Sequence, residues 1–337
     1  MAITSYGDIS PRIGAYAVAK FLTHSAPVQV LARLGQIEAV PLNKGQTVKF
    51  RRMVPYSAVT SPLVEGVTPA VGATTVEDVT VTLLQWGDLH GLTDVIQDTH
   101  EDPILDKMMM LSGQQASATF EQIIYNVVKG GTAVAYANGA ARTDVNTAIT
   151  LNKQRAVVRT LQANKAKKIT SILSPSPNIG TVPVEAAYVA VGHTDLGPDI
   201  RGLAGFTPVA EYGSMKPICA EEIGAVEEVR YILTPDLEPW ADAGGAKGSM
   251  MSTTGTSADV YPVLYFGQEA FGCTPLKNQK IGSGNNMVVE PTVLNPGTKT
   301  KDDPLGQRGY VGWKAWFNAV RLNETWMKRL ECAATAL

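Results

Sequence analysis

Apolar residues recur at helical spacing through one stretch of the chain: Ile104, Met108, Leu111, Phe120, Ile123, Ile124, Val127 and Val128. Asp102 stands where an N-cap carboxylate accepts free amides, and Pro103 suits a first helical position whose N–H has no partner inside the helix. Lys129 falls in the last turn and Gly130-Gly131 follow, as expected at the carbonyl end. The spacing predicts a helix over 103–129, roughly 40 Å long. Its middle, Ser112 to Thr119, is almost all small or polar, so that part is expected to lie across a surface or beneath another chain.

Upstream the period changes to two. Residues 47–54 (TVKFRRMV) alternate in part, and 76–84 alternate cleanly, with Val79, Val81 and Leu83 on one face and Asp78, Thr80 and Thr82 on the other. Between them, 55–75 is rich in Pro, Gly, Thr, Ser and Val and carries a single charge, Glu65. About twenty structureless residues are unusual within a compact domain. A long hairpin that finds its cover on another subunit accounts for them better than a bare surface loop, which remains the alternative. The first 27 residues carry apolar positions too sparse to fold alone and are expected to form an arm, with a short helix at 15–24 and a strand or helix at 28–32.

Downstream, Val157, Val158, Leu161 and Ile169 against Arg155, Arg159, Lys165, Lys167 and Lys168 predict an amphipathic helix over 151–168. Strands are expected at 188–191, 224–232 and 260–266, and a short helix at 195–203. The glycine-rich 244–259 is expected to be a flexible tip. Near the end, Val311, Trp313, Ala315, Phe317 and Ala319 share one face of a long strand, and Tyr310, Lys314, Trp316, Asn318 and Val320 share the other. Each face carries a large aromatic, so both are expected to be covered. The pattern as a whole is α+β.

Composition and chemistry narrow the function by exclusion. With 337 residues and a net charge of −2, the chain lacks the basic excess of a dedicated nucleic-acid binder. Cys219, Cys273 and Cys332 form no C-x-x-C, and the start of the chain lacks the basic and apolar regions of a secretory signal. No run approaches the ~18 apolar residues of a membrane helix. Synthesis and residence in a cytoplasm are therefore expected, with no membrane partner. His24, His90, His100 and His193 occur singly, and no phosphate loop, nucleophile elbow or dinucleotide fingerprint is present. The paired carboxylates Glu221-Glu222 and Glu227-Glu228 are expected to be solvated charges. No catalytic residue, cofactor or metal is predicted.

Several stretches carry a resemblance: Lys44-Gly45-Gln46-Thr47, then YVAVGHTD at 188–195 with Arg201 and Phe206 after it. Glu222-Ile223-Gly224 with Val229-Arg230-Tyr231 follows, and then DPLGQRGYVGWK at 303–314 with Arg321-Leu322-Asn323-Glu324. In this order they resemble the major capsid protein of tailed bacteriophages with the Hong Kong 97 phage-type fold, in the branch typified by the coat protein of phage N-four. The resemblance implies an N-terminal arm (1–39) and an extended loop with its base (40–100). It implies a peripheral domain with its spine helix (101–185), an axial domain (186–291), and a return strand completing the peripheral domain (292–337). It further implies hexamers and pentamers of this chain in an icosahedral virion shell around double-stranded DNA touched non-specifically, with portal, scaffolding or decoration proteins as further partners. Lys49, Arg51, Arg52, Glu65 and Glu77 become candidates for charge pairs between subunits, unless they are ordinary solvated charges. Two alternatives stay open: an encapsulin-type nanocompartment shell, and an enzyme with an unrecognised site.

Overall fold

Arg308–Arg321 forms one long strand, as the alternation predicts, and a six-stranded sheet is laid out on it. Leu84–Thr93 runs antiparallel along one edge, from Arg308↔Thr93 to Phe317↔Leu84. On the other edge its first half pairs with Val289–Leu294 and its second half with Phe271–Lys277, which in turn takes the short strands Gln36–Ile37 and Val40–Pro41 in parallel. This is a computed structural model that describes residues 30–41, 43–99, 104–173, 181–213, 216–277, 279–281, 285–287, 289–299 and 301–337. The expected arm and helix within 1–29, and the Asp102-Pro103 cap, lie outside those residues. The stretch expected at 28–32 contributes a short 3-10 turn, Leu31–Arg33.

Ile104–Lys129 is a single helix, the spine, packed across the sheet face that carries Val311, Trp313, Ala315, Phe317 and Ala319. Phe120 enters between the tryptophan and the phenylalanine, with ring centroids 5.9 Å from Trp313 and 4.8 Å from Phe317. Two expectations are corrected here. The small-residue middle is not left for another chain: Ser112, Gly113, Ala116 and Ser117 are buried against this chain's own sheet. Short side chains let the helix axis come close, which turns Leu111 out to 57% exposure. The opposite face of the closing strand is also less covered than expected, because Tyr310, Lys314, Trp316, Asn318 and Val320 are only half-buried by the described residues.

An eight-stranded sheet forms the second lobe, in the order Val134–Tyr136, Met327–Cys332, Tyr261–Phe266, Thr181–Gly192, Val229–Leu233, Glu222–Val226 and Phe206–Pro208. Ile169–Leu173 pairs with the first part of Thr181–Gly192. Val229–Leu233 and Tyr261–Phe266 are buried at every position, as near-continuous apolar strands covered on both faces should be. One face supplies Val189, Val191, Ile232, Leu264 and Phe266 to the same core as the spine helix. The other lies under Leu151–Ala163, through Val157 and Leu161, and under Gly197–Arg201, through Ile200. That longer helix ends sooner than predicted, since Ile169 already begins a strand.

The expected single strand over 224–232 is a tight hairpin turning at Glu227, which has φ +55°. Glu222 is not a solvated charge: it is buried, pairs with the buried Arg230 at 3.0 Å and accepts the Tyr212 hydroxyl at 2.7 Å. Nor is 244–259 a free tip. The Asp259 carboxylate accepts the amides of Asp242 and Thr253, and Asp242 accepts Ser252 Oγ and the Thr254 amide. The Met251 amide then donates to Ala334, so the segment is stapled to the lobe.

Candidate inter-subunit interface

The hairpin forms in the register that its alternation requires. Thr47–Met53 pairs antiparallel with Val76–Thr82, placing Val48 opposite Val81 and Phe50 opposite Val79 on one face, with Lys49 opposite Thr80 and Arg51 opposite Asp78 on the other. Its base is tied to the first sheet. The Leu83 amide donates to Gln46 O at 2.8 Å, and Asn318 Nδ2 donates to Thr82 O at 2.7 Å. Phe50 reaches Gly272, where an added Cβ would stand 3.3 Å from its ring. A cleft of about 610 Å³ lies between the far end of the hairpin strands, at Arg52 and Glu77, and Val127 with residues 319–325.

Beyond Met53 the chain leaves the sheet. Residues 54–75 contain no helix or strand and are closed by the Val54 amide donating to Thr75 O and by a Tyr56–Thr74 side-chain hydrogen bond. Tyr56, Val59, Leu63, Val64, Val67 and Val71 are 61–97% exposed there. Apolar exposure this dense, on a segment without a core of its own, is of the kind found at protein contact surfaces.

The candidate charges are placed as follows. Arg51 donates to Asp78 through Nε at 2.8 Å and Nη2 at 2.9 Å, a bidentate pair within the hairpin. That hydrogen bond holds the Asp78 carboxyl below its ordinary range, and the field of Lys49 adds to it. Arg52 pairs with Glu77 across the strands, on the opposite face from Arg51. Lys49 and Glu65 are exposed and make no ion pair among the described residues, and Glu65 precedes the left-handed Gly66 at φ +75°. The hairpin therefore brings together Arg51 with Asp78 and Arg52 with Glu77 within one chain, leaving Lys49 and Glu65 apart. Asp78 was missed as a partner because only the strand register puts it opposite Arg51.

Behind the hairpin, charged groups tie the second lobe together and reach the end of the spine helix. Glu331 is fully buried and receives Arg142 through Nε and Nη2, both at 2.8 Å, and Arg329 through Nε at 2.7 Å. The Arg142 guanidinium stacks 3.6 Å from the Trp240 ring centroid. Arg329 also donates to Gly131 O at 3.1 Å, and Arg321 donates to Val127 O at 2.8 Å, so two arginines satisfy carbonyls at the end of the spine helix. Among the described residues no group of three or more His, Cys, Asp or Glu side chains could hold a metal, and no helix is long and apolar enough to cross a membrane.

No protein-family model matches the chain. A curated relative, the major capsid protein of Pseudomonas phage KPP21, is 22% identical over 202 residues, covering 57% of this chain and 50% of that protein. The chain thus matches about half the length of that relative. Solved structures align over almost the whole chain. The capsid of Ralstonia phage GP4 matches with TM-score 0.66 and 12% identity, covering 100% of this chain and 99% of that one. The capsid of cyanophage Pam1 matches with TM-score 0.61 and 13% identity, covering 99% and 98%. The capsid of cyanophage P-SCSP1u matches with TM-score 0.58 and 12% identity, covering 99% and 93%. Hairpin, spine helix, two sheets and closing strand together are the α+β major capsid fold of tailed bacteriophages, the Hong Kong 97 phage type.

Proposed function

We propose that this chain is a major capsid protein, a structural subunit that assembles with copies of itself into the icosahedral head of a tailed phage. The observation that carries the reading is the exposed apolar loop at 54–75, carried at the end of a hairpin whose base is tied to the first sheet. An apolar side chain moved from water to a covered site contributes about 1.5–3 kcal/mol, so six such residues set an upper bound of about 18 kcal/mol per contact before ordering entropy. Repeated around closed symmetry, contacts of that size are enough to build a shell. Hexamers and pentamers are the closed units of such a lattice. In this reading 1–39 is an arm, 40–100 the loop lying over a neighbour with its base, 101–185 and 292–337 the peripheral domain, and 186–291 the axial domain. Lys49 and Glu65, exposed and unpaired among the described residues, are the charges best placed to meet a neighbour, with Arg51, Arg52 and Glu77 already engaged across the hairpin.

Double-stranded DNA would fill the shell through non-specific contacts, with portal, scaffolding or decoration proteins as further partners. The phage relative and the phage capsid structures favour the viral reading over an encapsulin-type nanocompartment and over an enzyme. Negative-stain electron microscopy with nuclease protection tests the proposal. Closed uniform shells that protect long DNA are expected, whereas shells filled with protein and no DNA would move the assignment to a nanocompartment. Deleting residues 56–74 should leave a folded subunit that no longer assembles, and unchanged assembly would remove the role given to the loop.

A further inference from the structure

Glu121 is a carboxylate on the buried face of the spine helix, fully excluded from solvent among Phe120, Ile124, Leu31 and Leu237. Its Oε1 accepts the backbone amides of Val30 at 3.2 Å and Leu31 at 2.8 Å. Its Oε2 is buried and has no hydrogen-bond partner among the described residues. Val30 and Leu31, themselves 1% and 0% exposed, begin the segment that runs through Gly35 into the parallel pairing of Gln36 with Gly272. One side chain in the helix therefore holds the segment leading into the first sheet, and it does so with a group that can be charged or neutral.

We propose that Glu121 is a proton-operated fastener, keeping residues 30–34 docked on the spine helix while it carries a proton and loosening them when it loses it. The groups facing it support one direction. Asp236, from the loop after Val229–Leu233, adds a like charge, and its own Oδ2 is buried without a hydrogen-bond partner among the described residues. Cys273, from the strand on the other side, is a thiol pushed up by burial first and by Glu121 second. The docked segment brings Arg33, whose field reaches Cys219. The backbone amides of Val30, Leu31 and Ala32 favour the carboxylate, but burial outweighs them and pushes Glu121 up to about 7.

The sign follows from linkage. The docked state holds its proton to about pH 7, whereas a solvated glutamate releases it near its ordinary value of 4.5. Docking is thus strongest below the lower value and weakens as pH rises through the upper one, by about 30-fold between ~pH 5.5 and ~pH 8.5.

The test is hydrogen exchange read by mass spectrometry on peptides spanning 30–37 in the full-length protein, corrected for the intrinsic pH dependence of exchange. Protection should fall as pH rises through neutrality in the wild type, and stay flat and high in Glu121→Gln, which keeps an oxygen acceptor but cannot ionise. Parallel profiles for the two, or wild-type protection that rises with pH, would overturn the proposal. Should Glu121→Gln fail to fold, Asp236→Asn supplies the second readout. Removing the like charge must shift the wild-type midpoint to lower pH, and an unmoved midpoint also overturns it. The proposal does not depend on shell formation, so either result leaves the capsid reading to its own test.

Discussion

Replacing Phe120 with alanine tests how the spine helix is seated. Phe120 is 6% exposed and fills the space between Trp313 and Phe317, edge-on to the first with an interplanar angle of 70° and tilted at 51° to the second. Truncating a buried phenylalanine costs about 3–5 kcal/mol through lost transfer energy and the cavity left behind. Each aromatic pair accounts for about 0.5–1.5 kcal/mol beyond area. Collapse of the site recovers part of this, so a loss of about 4 kcal/mol is expected. That is a large fraction of the ~5–15 kcal/mol by which domains are stable. The matched control is Leu111→Ala on the same helix. Periodicity alone puts Leu111 in the core, but the structure exposes 57% of it, so its loss should fall within about 0.5 kcal/mol. Urea titration of the unassembled subunit, followed by tryptophan fluorescence, reads both midpoints at constant m. Equal losses for the two variants, or less than about 1.5 kcal/mol for Phe120→Ala, would refute this seating of the helix.

Two further outcomes are expected. Glu331→Gln should lower subunit stability by about 2–3 kcal/mol in thermal or urea unfolding. A fully buried carboxylate is removed from between two arginines, with the figure discounted because Arg142 is 33% exposed; a loss under about 1 kcal/mol would mean that the cluster does not hold the second lobe together. Arg51→Asp should reduce shell yield in an assembly assay, and adding Asp78→Arg should restore it, because the pair is made within one hairpin; a double variant that stays assembly-dead would place Arg51 against a neighbouring subunit instead.

The elements that the sequence discloses are those whose period matches a one-sided environment. The hairpin strands, with Val79 and Val81 against Asp78 and Thr80, and the closing strand, with Trp313 and Phe317 in phase, are of this kind. The spine helix shows its existence and length but not its rotation. Ser112, Gly113 and Ala116 count as surface residues until a sheet comes close enough to bury them. Leu84–Thr93 escapes notice altogether, since Gly87, Asp88, His90 and Gly91 read as a polar loop, yet it pairs along ten positions of the closing strand. Its order is imposed by the partner rather than by its own side chains. Buried charges were hidden for a related reason: Glu121 and Glu331 are matched only when Val30 and Arg142 come to them from distant parts of the chain, and Glu222 only when a tight hairpin turns Arg230 back onto it. Of the interface, the exposed loop was legible from composition, and the partners of its charges were not.

The two sheets share a debt to the last stretch of the chain. Arg308–Arg321 is the strand on which Leu84–Thr93, Val289–Leu294 and Phe271–Lys277 all depend, and Met327–Cys332 lies between Val134–Tyr136 and Tyr261–Phe266 in the other sheet. During translation, then, strands from both lobes wait with open edges until these residues leave the ribosome. At ~5–20 residues per second this interval lasts on the order of ten seconds or more for the earliest of them. A nascent chain cannot present finished sheets before that moment. The fold thus carries its own clock, in which the two sheets are not both closed until synthesis has passed Cys332.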